Sequence, residues 1–147
     1  MNETSKWIWK KGLEGNDIYC DFYDEFEYFG SEKLSFRISA DSNYALYING
    51  TWVESGQYPD FPYYKIYDEF DVTEYCRVGK NSIAVTVWHY GESNMSYFPG
   101  APAVRYELCD GTSVLACSNE GTLCRRNIEY QILLLLFLRI CLFLPVL

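Results

Sequence analysis

The 147-residue chain is short of positive charge. It has 12 Lys and Arg against 20 Asp and Glu, a formal net charge of −8. Nucleic-acid binding needs clustered cations to displace counterions, so no nucleic-acid partner is expected. The acidity reads first as solubility. Histidine occurs once, at His89, and none of the six cysteines (Cys20, Cys76, Cys109, Cys117, Cys124, Cys141) forms a Cys-x-x-Cys pair. A zinc site, which draws on such ligands, is therefore not expected. The opening MNETSKWIWKKG has no cationic stretch leading into an apolar one, so it does not read as a secretory leader. A cytoplasmic location with reduced thiols follows as the expectation. The Asn-x-Ser/Thr triplets at Asn2, Asn49 and Asn94 then carry no glycan. Sustained 3.6-residue apolar periodicity is missing from residues 6–125, which argues against helices there.

Aromatics, by contrast, are abundant: 14 Tyr, 9 Phe and 4 Trp. Flat rings pack well on a pleated surface, so strands are favoured. The length suits one domain, and a chain of this size buries roughly two thirds of its unfolded surface.

Short β segments alternate with turn residues. KWIW (Lys6–Trp9) reads as a short aromatic strand. From Ile18 to Phe29, Ile18, Cys20, Phe22, Phe26 and Tyr28 share one parity. Asp24 breaks it, which predicts a bulge or a strand end. Leu34–Ala40 is the next strand. Asn49-Gly50 sits between two apolar runs, and a type I′ turn needs φ > 0 at both central positions, so a hairpin is predicted. Tyr64, Ile66, Asp68 and Phe70 alternate as a strand would. Asp71-Val72-Thr73-Glu74 has capping-box spacing and predicts one helical turn over Val72–Cys76, closed by Gly79. Ser82–Trp88 is a strand with Ile83, Val85 and Val87 on one face. Ala103–Cys109, the Asp110-Gly111 turn and Ser113–Ser118 form a second hairpin. Regular short strands with such turns predict an all-β, antiparallel jelly-roll β-sandwich.

The order of these segments resembles a known family. KWIW, YALYINGTWVESGQY, YDEFDVTEYCRVGKNSIAVTVWHYGE and VRYEL followed by an Asp-Gly turn together resemble the N-terminal, galactose-binding-domain-like β-sandwich of bacterial α-L-rhamnosidases. The resemblance covers roughly residues 6–131. It implies an accessory module of a glycoside hydrolase whose catalytic residues stand on a separate (α/α)6 barrel. No catalytic residue is carried over, and the chain by itself is expected not to be an enzyme. The implied partner is that catalytic domain. Asp71, Glu74, Gly79 and Asn81 match the module's own motif, and the resemblance implies a structural cap and turn for them. Jelly rolls of this kind often hold a structural calcium, yet no Asp-rich loop with EF-hand spacing is present.

A glycosidase needs two carboxylates flanking the scissile bond. The acidic clusters Asp21, Asp24, Glu25, Glu27 and Asp68, Glu69, Asp71, Glu74 lie on strands, where alternate members face opposite sides. They read as solvated faces and a cap. His89 reads as structural or as a hydrogen-bond donor to sugar. Sugars are held by aromatic faces with a few fixed polar groups. Trp52, Tyr58, Trp88, Tyr90 and Tyr97, with Tyr63 beside them, lie at strand ends or in loops, where binding residues are often placed. They are candidate carbohydrate contacts, with rhamnose-containing glycans as ligands. The competing expectation is that they pack in the core or against a catalytic domain.

The last sixteen residues, Ile132–Leu147, differ in kind. They hold eight leucines, against six in residues 1–131, and one charge, Arg139. A spanning helix needs about 20 apolar residues, and a mid-membrane Arg costs roughly 3 kcal/mol. As a helix in water the segment would be apolar on every side. The expectation is a sandwich over residues 1–131 lacking its last strands, followed by a 132–147 tail foreign to the fold, from a frameshift or truncation. The alternatives are a free-standing carbohydrate-binding protein, or a β-domain held at a membrane by the tail.

Overall fold

A computed structural model describes residues 1, 3–30, 33–57 and 60–130. The candidate Tyr58, the thiol of Cys141 and the 132–147 tail lie outside the described residues. The described residues form nine strands in chain order: β1 Ile18–Tyr28, β2 Leu34–Asp41, β3 Asn43–Ile48, β4 Thr51–Gly56, β5 Asp68–Asp71, β6 Gly79–His89, β7 Ala103–Asp110, β8 Ser113–Cys117 and β9 Leu123–Asn127. They build two sheets, ordered β4-β3-β6-β1-β9 and β5-β2-β7-β8. Every strand pair is antiparallel. The architecture is the predicted antiparallel β-sandwich.

The core lies between the sheets. Phe22, Leu46, Ile48, Ile83, Val85 and Val87 enter from the five-stranded sheet, and Leu34, Phe36, Ile38, Val104, Tyr106 and Leu108 from the four-stranded one. Each such side chain contributes about 1.5–3 kcal/mol when fully buried. The period-2 apolar pattern fixes register, because a one-residue slip would turn the whole set outward. The β3–β4 hairpin turns at Asn49 and Gly50, with φ of 52° and 77°, as the sequence predicts.

Several expectations are corrected. Asp24 neither bulges nor ends β1, which pairs with β6 without a break from Ile18 to Tyr28. Its carboxylate instead accepts hydrogen bonds from the Tyr106 hydroxyl and from Thr122 Oγ1, the latter at 3.1 Å. Burial raises the Asp24 carboxyl above its ordinary range, against the lowering effect of those two donors. KWIW is not a sheet strand: only Ile8 bridges, to Val104. Tyr64–Tyr67 lie outside any strand because side chains take the backbone of Ile66. Ser39 Oγ donates to Ile66 O at 2.5 Å, and Ile66 N donates to Asp60 Oδ2 at 3.1 Å. The helical turn is a single 3₁₀ turn, Thr73–Tyr75. Asp71 Oδ1 accepts from Thr73 N at 3.1 Å and Thr73 Oγ1 at 2.7 Å, so it serves the residue two positions on rather than three. Strand β9 is a further strand beyond those read from the sequence pattern, and it pairs with β1 at the edge of the five-stranded sheet.

Candidate functional site

The chain passes between the sheets at one end of the sandwich. Asp41, the last residue of β2, pairs with Ala103 in the four-stranded sheet. Asn43, two residues on, pairs with Trp88 in the five-stranded sheet. The β4–β5 and β6–β7 loops close over the same end. A concavity of about 310 Å³ opens there, lined by Asn43, Gln57, Asp60, Lys65, Asn94 and Ser96 together with Trp88, Tyr90 and Tyr97.

Asp41 organises this end from beneath. A buried carboxylate is costly unless its oxygens are matched by donors. Here Oδ1 faces His89 Nδ1 at 3.0 Å and accepts from the Tyr97 hydroxyl, while Oδ2 accepts from Lys65 Nζ at 3.2 Å and Gly100 N at 2.9 Å. Burial pushes the Asp41 carboxyl up, but the His89 and Tyr97 hydrogen bonds and the Lys65 ammonium outweigh it and hold the group at about 2. An ionised carboxylate only accepts, so Nδ1 of His89 carries the proton. Burial, then the hydrogen bond to Asp41 and its charge, pushes the Tyr97 phenol up, so the hydroxyl stays a donor.

Lys65 reaches a second carboxylate, Asp60 Oδ1, at 2.7 Å. Asp60 Oδ2 in turn accepts from Gln57 Nε2 at 2.9 Å, and Gln57 Oε1 accepts from Ala40 N at 2.6 Å. The β4–β5 loop is thereby pinned to the end of β2. On the other wall Ser42 Oγ donates to Trp88 O at 3.0 Å and accepts from Tyr90 N at 3.1 Å. Trp88 stacks on Tyr19 with centroids 5.9 Å apart, and its Nε1 donates to Asp17 Oδ1 at 2.8 Å. Tyr90 meets Trp88 edge-on at 5.5 Å and Tyr97 at 6.0 Å.

Of the sequence candidates, Trp88, Tyr90 and Tyr97 converge on this concavity. Trp52 does not join them. It sits near the turn of the β3–β4 hairpin, four residues of strand from Gly56, roughly 13 Å away along the sheet. Tyr63 is exposed and stacks on Phe61, in the loop that also carries Asp60 and Lys65. His89 is buried and faces Asp41. Asp41, Lys65 and Asp60 were not singled out by sequence. Their partners lie 3 to 59 positions away, and no local pattern marks them.

The acidic clusters are structurally engaged. Asp21 pairs with Arg125 at 3.0 Å, and Asp68 accepts from Tyr44 Oη at 2.5 Å. Glu69 pairs with Arg37 at 3.1 Å, and Asp71 with Lys33 at 3.1 Å. No group of three or more His, Cys, Asp or Glu among the described residues is arranged to hold a metal ion. The space between Asp41 and Asp60 is filled by the Lys65 ammonium, so these two carboxylates do not fit a calcium ion. A larger groove, about 780 Å³, lies along the outer face of the five-stranded sheet at Tyr23, Tyr47, Ala84, Arg125 and Tyr130. None of the described sequence candidates lines it.

Fold and site together define a β-sandwich module with an aromatic and polar concavity at one end. Neither protein-family models nor curated proteins give a match to the chain. Solved structures do. A GH78 family rhamnosidase of Bacillus sp. GL1 superimposes with a TM-score of 0.81 at 30% identity, over 86% of this chain and 14% of that one. Streptomyces avermitilis α-L-rhamnosidase, complexed with L-rhamnose, gives 0.63 at 16% identity, over 85% and 12%. The lectin of Pleurotus ostreatus gives 0.59 at 16% identity, over 85% and 35%. The chain resembles a part of the GH78 α-L-rhamnosidases and spans about one seventh of the Bacillus enzyme's length.

Proposed function

We propose that the chain is a non-catalytic accessory module of an α-L-rhamnosidase-type glycoside hydrolase, and that the concavity at Trp88, Tyr90 and Tyr97 contacts carbohydrate. The convergence of these rings with Asn43, Gln57, Asn94 and Ser96 carries the reading, since sugar sites combine aromatic surface with a few fixed polar groups. The 30% identity to a GH78 rhamnosidase supports the family context, and the 14% coverage of that chain is consistent with catalysis residing elsewhere. The partner is then the catalytic domain, and rhamnose-containing glycans are the first ligands to try.

The likeness to a lectin favours a second reading, a free-standing carbohydrate-binding protein. Affinity separates the two. An accessory contact should bind rhamnose or a rhamnoside at millimolar concentration, about −4 kcal/mol, seen as a change in tryptophan fluorescence. Trp88→Ala should abolish the response, and Trp52→Ala should keep it. A micromolar rhamnoside would promote the free-standing protein, and silence towards every sugar tried would contradict the site. An aryl α-L-rhamnoside should not be hydrolysed; turnover near ~1 s⁻¹ would contradict the non-catalytic role. The membrane-anchored reading rests on the composition of residues 132–147 alone, and no helix among the described residues is long and apolar enough to cross a membrane.

A further inference from the structure

Lys65 is the one cationic side chain lining the concavity among the described residues, and by itself it would suggest an anchor for a sugar carboxylate. Its surroundings oppose that. The ammonium lies 2.7 Å from Asp60 Oδ1 and 3.2 Å from Asp41 Oδ2. Both carboxylates are the more buried partners, with side-chain exposures of 6% and 0% against 19% for Lys65. His89 and Tyr97 meet Asp41 as hydrogen-bond donors. Two carboxylates thus flank one ammonium, so negative charge outnumbers positive at Lys65 and the field over the concavity is negative. The other polar lining groups, Asn43, Gln57, Asn94 and Ser96, are uncharged and suited to hydroxyls.

Resting on the carbohydrate reading above, we propose that this site admits sugars whose polar groups are hydroxyls only and rejects those bearing a carboxylate or sulfate. Lys65 is the internal counter-ion of Asp41 and Asp60, not a hook for anionic ligands. A second negative charge brought against this field loses Coulomb energy, and the mostly buried ammonium cannot turn to meet it without leaving two buried carboxylates unpaired.

The test uses the full chain at low salt. Binding of a neutral methyl hexoside is compared with that of the uronate of the same ring configuration. The uronate should bind at least roughly fivefold more weakly, and added salt should narrow the gap. Asp60→Asn, checked for an unchanged thermal transition, should narrow it too. A uronate that binds as well as the hexoside would overturn the proposal and leave the carbohydrate reading standing. A gap indifferent to salt and to Asp60→Asn would assign the rejection to shape and overturn the role of charge. Binding of neither sugar would overturn the carbohydrate reading, and the selectivity with it.

Discussion

Asn49 Nδ2 donates to Asn81 Oδ1 at 2.8 Å, tying the turn of the β3–β4 hairpin to the start of β6. Asn81 is buried, and its amide is fully used. Oδ1 also accepts from Arg77 N at 2.9 Å, while Nδ2 donates to Arg77 O at 2.6 Å and Gly79 O at 2.8 Å. Asn49 Oδ1 accepts from Ser82 N at 3.0 Å. Asn81→Ala would leave several buried backbone groups unmatched, at about 1–3 kcal/mol for each group that water cannot reach. Chemical denaturation should show a loss of about 2–3 kcal/mol with an unchanged m-value. A midpoint equal to that of the parent chain would contradict this role.

Asp41 sets an acid limit on stability. Its folded-state pKa, about 2, lies below the ordinary carboxylate value, so the folded chain binds this proton less readily than the unfolded one. The stabilisation is present above the unfolded value near ~4 and is lost as pH falls towards 2; it amounts to roughly 2–3 kcal/mol. Asp41→Asn should be less stable than the parent at neutral pH, and the difference should shrink between about pH 4 and pH 2. A difference that stays constant across that window would show that Asp41 is not held ionised by His89, Tyr97 and Lys65.

The described core is assembled from residues between Leu13 and Leu108, with Ile8, Leu115 and Ala116 among those packed against it. A chain ending at Gln131 should therefore retain a β-sheet circular dichroism spectrum and a cooperative thermal transition. It should also remain in solution at concentrations where the full chain aggregates, since it lacks the apolar segment 132–147. Loss of the transition in the shortened chain would make that segment part of the fold.

What could be read in the sequence follows the range of the interactions. The Asn49-Gly50 hairpin and the inward parity of Ile83, Val85 and Val87 are local patterns, and the structure keeps both. Asp24 misleads because its partners, Tyr106 and Thr122, are 82 and 98 positions away. Tyr64–Tyr67 mislead because Ser39 and Asp60 take the Ile66 backbone that a strand neighbour would use. Strand β9 shows four exposed residues followed by one buried, with no alternation to find. At the site, aromatics at strand ends pointed to Trp88, Tyr90 and Tyr97. Asp41, which positions Tyr97 and Lys65 from below, stands in an unremarkable ISADSN stretch and gains its meaning only from residues 65, 89, 97 and 100.

The most direct test of a carbohydrate site at this end of the sandwich is a two-dimensional ¹H–¹⁵N NMR titration with rhamnose and a rhamnoside. The four tryptophans, Trp7, Trp9, Trp52 and Trp88, give four indole signals. The Trp88 indole and the amides of Asn43, Gln57, Asn94 and Ser96 should shift together and saturate in the millimolar range. The Trp52 indole should stay in place. Shifts centred on Trp52 or on the outer groove at Tyr47 and Tyr130, or no shift at all, would contradict it.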